Sequence, residues 1–315
     1  MQIDYCLILA AGKGTRMGEI GKSLPKVLWP IFERSLLELQ VEYAKSLGIK
    51  KIFINLSHQK DIIFQFAKNK EIFHDVHFLL EEEILDIGGG IHNLAREVGY
   101  QGNLLVLNAD QFFLMSKDFL DSSVKKLADS KALLFSYQVD PRLGYNCLAL
   151  NPDHTLRAIT PASELKNTSS GVTYTGSSLI NLAKLTAQPG VSAFFDSVAD
   201  YQHEGIKVES VGNLDYWDFG TLQRYWLTMR QILKTYKFQS THPFLRFLVN
   251  HKAIKSWKIN LQTLSYNAQG SGVIHLGPTQ DASASEDIIS LTDHNFKQLI
   301  GPLIIFNKTE EKINL

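Results

Sequence analysis

Between Cys6 and Val139 the sequence alternates apolar runs of strand length with segments of helical period, and this alternation restricts the fold more than any other feature. CLILA (6–10), KIFINLS (51–57), 76–80, NLLVLNAD (103–110) and ALLFSYQV (132–139) read as strands. Between them, SLLELQVEYAKSL (35–47), stopped by Gly48, then 60–69, 90–97 and 124–128 space their apolar residues as helices do. A βαβα order predicts a mainly parallel sheet with helices on both faces, because parallel neighbours need crossovers and each crossover helix must bury its apolar stripe. Ligands of such sheets gather at the carboxyl ends of the strands. The glycine-rich turn after Ala10 and the carboxylate of Asp110 both fall at such ends, so they are expected to face one crevice.

The texture changes from Leu143. YNCLAL, TLRAIT and VTYTGSSLI are short strands among turn residues and suit an antiparallel excursion over the crevice. A helix over 191–203, a strand at IKVESVG and a strand–turn–helix at LDYWDFGTLQRYW follow. TYKFQSTHP reads as a linker, which divides the chain into a main domain at 1–235 and a C-terminal extension at 236–315. The extension holds a helix-like aromatic piece and a Ser/Asp/Gly-rich section without a sustained hexapeptide repeat, so a long β-helix is not expected.

Composition removes several classes of function. Lys+Arg and Asp+Glu both number 32, so a general nucleic-acid or anionic-membrane binder is not expected. Cys6 and Cys147 form no CxxC pattern, which argues against a disulfide scaffold or a cysteine zinc site. The opening MQIDYCLILAAG has no basic region before its short apolar run, and no stretch has the length of a membrane span. A cytoplasmic protein is expected.

The stretch LILAAGKGTRMGEIGKSLPKVL (7–28) carries the chemistry. It is neither of two familiar phosphate loops. Gly21-Lys22-Ser23 ends like a Walker A motif, but Arg16 stands where the first glycine belongs. Gly12 and Gly14 begin a dinucleotide fingerprint, but Met17 stands at its third glycine. What is present is a turn whose backbone N–H groups can approach phosphate, a guanidinium fork at Arg16 and an ammonium at Lys26. A surface turn with solvated basic residues fits the triplet Gly-Lys-Gly equally well.

The whole string L-A-A-G-K-G-T-R-M followed by L-P-K-V-L resembles the signature of the sugar-1-phosphate nucleotidyltransferases. Three further segments follow in order. LDIGGGI (85–91) is similar to the family's glycine-rich segment, LVLNAD (105–110) to its strand ending in Gly-Asp, and YWDFGT (216–221) to its W-x-D-x-G-T. The resemblance implies a three-layer α/β fold, Rossmann-like and GT-A-like, with a mixed, mainly parallel sheet and a small C-terminal extension. It implies Mg²⁺-dependent attack of a sugar 1-phosphate on an NTP, with UTP preferred from the Ala10-Ala11-Gly12 form, and N-acetylmuramate 1-phosphate or a similar hexose phosphate as acceptor.

By the same resemblance Leu9, Ala10, Ala11 and Gly12 lie along the nucleoside, and the backbone of Gly12, Gly14 and Thr15 cradles the triphosphate. Arg16 clamps the leaving phosphates, and Lys26 bridges the α-phosphate and the acceptor. Asp110 and Asp218 hold Mg²⁺, while Gly88 and Gly89 admit backbone groups to the base edge. Gly144, Glu164, Lys166 and Gly176 meet the sugar phosphate. The run Glu81-Glu82-Glu83 is expected to be a solvated face, and Tyr216 and Trp217 to be packing residues.

Two departures stand out: Asn108-Ala109-Asp110 replaces the usual Gly-Asp ending, and Ile87 replaces a frequent threonine. Since alanine adds only a methyl group, activity is expected to survive. Two other readings share the motifs, a phosphocholine cytidylyltransferase and a nucleotide-sensing subunit without turnover. A homo-oligomer through the extension is a further expectation.

Overall fold

The computed structural model describes residues 2–12, 14, 21, 24–212, 216–239 and 241–255, without the side chains of 222, 223 and 226. Beyond these it describes the backbones of short strands at 259–260, 265–268, 272–275, 288–291 and 303–306. Its main sheet has seven strands: β1 (Tyr5–Leu9), β2 (Lys51–Leu56), β3 (Val76–Leu80), β4 (Asn103–Asn108), β5 (Ala132–Val139), β6 (Gly171–Asn181) and β7 (Lys207–Ser210). Their order is β7-β5-β6-β4-β1-β2-β3. Every neighbouring pair is parallel except those made by β6, which runs antiparallel to both β4 and β5. The sheet is thus mixed and mainly parallel.

Alternation along each strand sends side chains to two separate cores. Cys6 and Ile8 of β1, with Ile52, Ile54, Leu105 and Leu107, face helices α1 (Leu36–Ser46), α2 (Lys60–Ala67), α4 (Lys117–Leu127), α6 (Leu222–Phe238) and α7 (Pro243–Asn250). Leu7, Phe53, Leu104 and Val106 face α3 (Asp86–Glu97) and the single turn α5 (Phe194–Ser197). These are the three layers. Helix α1 starts at a capping box, in which the Glu38 N–H donates to Ser35 Oγ (3.2 Å) and the Ser35 N–H donates to Glu38 Oε2 (2.9 Å). No helix among the described residues is long and apolar enough to cross a membrane.

Register aligns the strand ends that matter. Leu9 pairs with Asn55 on one side and Asn108 on the other, so β1, β2 and β4 end level with one another. The chain leaves β4 through Ala109 and Asp110 and enters a short ribbon, where Gln111–Phe112 runs antiparallel to Trp217–Asp218.

Several expectations are corrected. The helix expected over 191–203 is only α5, because the backbone before it is already engaged: the Ser192 N–H donates to the Leu85 carbonyl (3.1 Å) and the Ser192 carbonyl accepts from Gly89 (3.1 Å). The expected linker TYKFQSTHP is mostly helical, since α6 continues to Phe238 and α7 opens at Pro243 with His242 as its cap. The core therefore runs on to Ile254, with Phe244 stacked on Trp217 at 4.6 Å between ring centroids. The YNCLAL and TLRAIT segments do pair antiparallel, as Cys147–Leu150 with Leu156–Thr160.

Candidate active site

The crevice begins where β1 stops. The Ala10 N–H donates to Asn55 Oδ1 (2.9 Å) and the Ala109 N–H donates to the Leu9 carbonyl (3.4 Å), which ties the exits of β1, β2 and β4 together. A cavity of about 190 Å³ opens there, lined by Leu9, Ala10, Gly12, Gly14, Lys26 and Asp110 among others. Gly14 has φ +64°, a left-handed backbone that glycine adopts without strain, and Lys26 Cβ lies 4.0 Å from where its own Cβ would stand. A Cβ at Gly12 would meet nothing within 4 Å. Ala11 is buried beside them. The Thr15 and Arg16 expectations lie outside the described residues.

Lys26 and Asp110 form an ion pair at the cavity wall, with side chains 15% and 13% exposed. The loop carrying Asp110 is pinned from below by Gln40 of α1, whose Nε2 donates to the carbonyls of Asn108 (3.0 Å) and Gln111 (2.6 Å). The ribbon then delivers the second carboxylate, since Asp218 pairs with Gln111 and the Phe219 N–H donates to the Asp110 carbonyl (2.9 Å). Asp110 and Asp218 are the two residues that the sequence motifs marked, and the fold brings them together.

Asp218 is buried and fully engaged. Its Oδ2 accepts from Arg224 Nη1 (2.9 Å), the Tyr216 hydroxyl (3.2 Å) and the Tyr145 hydroxyl (3.3 Å). Its Oδ1 accepts from the Gly220 N–H (2.7 Å). Burial, then the Asp218 charge, pushes the Tyr145 phenol up to about 12; the same causes push Tyr216 up further. Both phenols therefore stay neutral donors at ordinary pH. Tyr216, expected as packing alone, also stacks on Phe113 at 4.6 Å.

Gly220 shows what the two carboxylates are shaped for. A Cβ there would stand 2.9 Å from Asp218 Oδ1 and 3.3 Å from Asp110 Oδ2. Two anionic oxygens thus face one small space that a side chain would fill, and two carboxylates with the rest of the shell left to substrate is the donor set a hard divalent cation accepts. The residues present fit such an ion.

The other marked residues divide. Gly176 (φ +81°) lies against the Asn108–Gln111 amide pair, whose Gln111 Oε1 would be 2.7 Å from an added Cβ. Gly144 (φ +87°) ends the turn 141–143, in which Pro141 is buried and Arg142 and Leu143 are exposed. Glu164 and Lys166 are exposed, and among the described residues their side chains make no hydrogen bond or ion pair. Gly88 and Gly89 are buried inside α3, where Cβ atoms would collide with the carbonyls of Ala193 (2.6 Å) and Gly190 (2.5 Å); close packing of the segment before α5 requires glycine at both. The Ala109 methyl joins the core.

Glu81 corrects its expectation. It is 2% exposed, accepts from Asn55 Nδ2 (2.8 Å) and from the Leu85 N–H (3.3 Å), and burial raises its pKa. The missing side chain of Gly90, 3.3 Å from Glu81 Oε1 at its Cβ position, gives it room. Glu82 and Glu83 are exposed as expected. Arg224, Tyr145, Gln40 and Asn55 were not found from the sequence. The one usable signal was for Arg224, six residues after Asp218 within the same motif-bearing segment.

Comparison with known proteins gives the same direction. Residues 5–235 match the family model described as Nucleotidyl transferase. The D-glycero-alpha-D-manno-heptose 1-phosphate guanylyltransferase of Campylobacter jejuni is 33% identical over 134 residues, 42% of this chain and 58% of that protein. The bifunctional protein GlmU of Marinobacter nauticus is 30% identical over 155 residues, 49% of this chain and 32% of that protein. The aligned stretch thus spans little more than half of the first relative and about a third of the second. Among solved structures, HddC from Yersinia pseudotuberculosis complexed with GMP-PN superposes with a TM-score of 0.62 at 21% identity, covering 73% of this chain and 99% of that one. A UDP-glucose pyrophosphorylase complexed with UDP-glucose gives 0.59 at 16% identity, covering 74% and 100%. At these identities the superpositions establish the fold.

Proposed function

The chain belongs to the nucleotidyl transferase family, and from that premise we propose that its crevice transfers a nucleotidyl group from an NTP to a sugar 1-phosphate and releases pyrophosphate. The observation that carries this reading is the convergence of Lys26, Asp110 and Asp218 at the joined ends of β1 and β4. In the reaction an acceptor phosphate oxygen attacks the α-phosphorus, the bond to the β-phosphate breaks, and pyrophosphate departs with the electron pair. The nucleophile is already an anion, so alignment and charge neutralisation suffice and no general base is required.

In this proposal Leu9 to Gly12 hold the nucleoside, and the backbone from Gly12 to Thr15 holds the triphosphate. Arg16 receives the leaving phosphates. Lys26 leaves Asp110 for the α-phosphate, where the entering and leaving oxygens crowd their charge. Asp110 and Asp218 hold Mg²⁺, which supplies Lewis-acid neutralisation of phosphate oxygens when bound. Gly144, Gly176, Glu164 and Lys166 form the acceptor side, and the N-terminal turn of α3, with Gly88 and Gly89, borders the base. The catalytic domain takes in the packed core to Ile254, and the residues after it are an extension through which copies associate, in the cytoplasm.

UTP is the proposed donor, from the Ala10-Ala11-Gly12 form, and N-acetylmuramate 1-phosphate or a related hexose phosphate the proposed acceptor. A relative named as a guanylyltransferase of a heptose 1-phosphate favours a second reading with GTP and that sugar. The test is pyrophosphate release with Mg²⁺, each of four NTPs against these sugar 1-phosphates, N-acetylglucosamine, mannose and glucose 1-phosphates, and phosphocholine. One strongly preferred pair is expected. Nucleotide binding by thermal shift with no release from any pair would replace the enzyme by a nucleotide sensor.

A further inference from the structure

Resting on the nucleotidyl-transfer reading, we propose that Arg224 is a positioning residue that couples occupancy of the acceptor side to cation binding at Asp218. Its guanidinium spans two parts of the site that are far apart in sequence. Nη1 donates to Asp218 Oδ2 (2.9 Å), and Nη2 donates to the Leu143 carbonyl (3.3 Å). Its central carbon lies 4.7 Å from the centroid of the Tyr145 ring, and that ring's hydroxyl donates to the same Oδ2 (3.3 Å). Gly144 sits between these anchors, with its Cβ position 3.9 Å from Nη2. Residues 143 and 145 are thus joined to one carboxylate oxygen directly and through Arg224.

The turn needs such a joint. Asp140 caps the start of the turn through the Arg142 N–H, and Pro141 is buried. At its far end, however, Leu143 is 67% exposed and Gly144 has a left-handed backbone, so that end relies on the contact of Arg224 with the Leu143 carbonyl. The Arg224 side chain is 28% exposed and its carboxylate partner 7%, so their contact is shielded from water. A planar fork can serve a carbonyl and a carboxylate at once, whereas an ammonium cannot span them. An acceptor that settles on the turn therefore also orders Arg224. That leaves Asp218 held with Oδ1 turned toward Asp110. Linkage then requires the cation to tighten the acceptor by the same factor as the acceptor tightens the cation.

The experiment uses the full chain and the substrate pair that gives the strongest pyrophosphate release in the panel above. A non-hydrolysable analogue of that NTP is kept saturating, and Mn²⁺ binding is followed by electron paramagnetic resonance with and without that sugar 1-phosphate. In the wild type the acceptor is expected to raise Mn²⁺ affinity about 5-fold or more. In Arg224→Gln the factor falls to about 1 while the KM for the NTP stays within about twofold, and a melting curve verifies folding; Arg224→Lys keeps the charge and recovers less than half of the coupling. Where Arg224→Gln fails to fold, Tyr145→Phe removes one link and lowers the factor partway. Undiminished coupling in the folded variants, or none in the wild type, overturns the inference and leaves nucleotidyl transfer standing. No pyrophosphate release from any pair overturns that reading instead, and the inference with it.

Discussion

Asp110 and Asp218 bring the same functional group to the same place, one from the turn that leads into a short ribbon and one from the ribbon's second strand, yet the protein holds them differently. Asp110 follows a parallel strand and meets the ammonium of Lys26, itself at the end of a flexible stem. Asp218 accepts from a backbone N–H, two phenols and a guanidinium, and its own carbonyl accepts from the Thr228 hydroxyl (2.7 Å). In the proposed reaction one carboxylate has a partner that substrate draws away. The other is a fixed part of the frame. A site that takes in and releases highly charged molecules, as the proposed reaction requires, is served by one exchangeable anion beside one immobile anion.

The largest expected effects separate the two directly. Asp110→Asn should lower turnover by about 10³-fold or more, with stability within about 1 kcal/mol of the wild type, because little else depends on that carboxylate. Asp218→Asn should lose turnover as well and cost in addition about 2–4 kcal/mol, since Arg224 and two buried hydroxyls lose their anionic acceptor. Pyrophosphate release and denaturant unfolding read both quantities, and equal stability losses would erase the distinction. Gly220→Ala comes next. Its Cβ pushes on Asp218 Oδ1 and Asp110 Oδ2 together, so turnover should fall about 10–100-fold with the fold intact; wild-type kinetics would mean the two oxygens do not act as a pair.

The smallest effect lies at alkaline pH. An unfolded tyrosine titrates at about 10, whereas Tyr145 is pushed up to about 12. Above pH 10 the unfolded chain therefore releases a proton that the native state retains. The stabilisation is complete below that pH and is lost progressively as the pH rises toward 12. Tyrosinate absorbance, wild type minus Tyr145→Phe, should show this phenol ionising well above the exposed ones; ionisation near 10 would remove Tyr145 from the Asp218 shell.

The same contrast explains what could be read in the sequence. Asp110 and the glycine turn lie at strand ends, and strand ends follow from apolar periodicity, so the crevice was legible, while Lys26, at the start of a 3-10 turn, was marked by its motif. The shell around Asp218 was not. Arg224 reaches Leu143 across 81 residues, a contact that exists only once the ribbon has closed, and no local pattern encodes it. Glu81 misled for a related reason. Three successive glutamates look solvated, but Asn55 and the bare α-carbon of Gly90 make a buried place for one of them. The short α5 shows backbone hydrogen bonds to α3 overriding a helical pattern.

Crystals grown with Mn²⁺ and a non-hydrolysable analogue of the preferred NTP would test the central claim most directly, through the anomalous signal of the metal. The claim requires a peak bonded to Asp110 and to Oδ1 of Asp218, with the analogue's α-phosphate beside it and within reach of Lys26. A peak that touches neither carboxylate, with the triphosphate lodged away from the ends of β1 and β4, would contradict it.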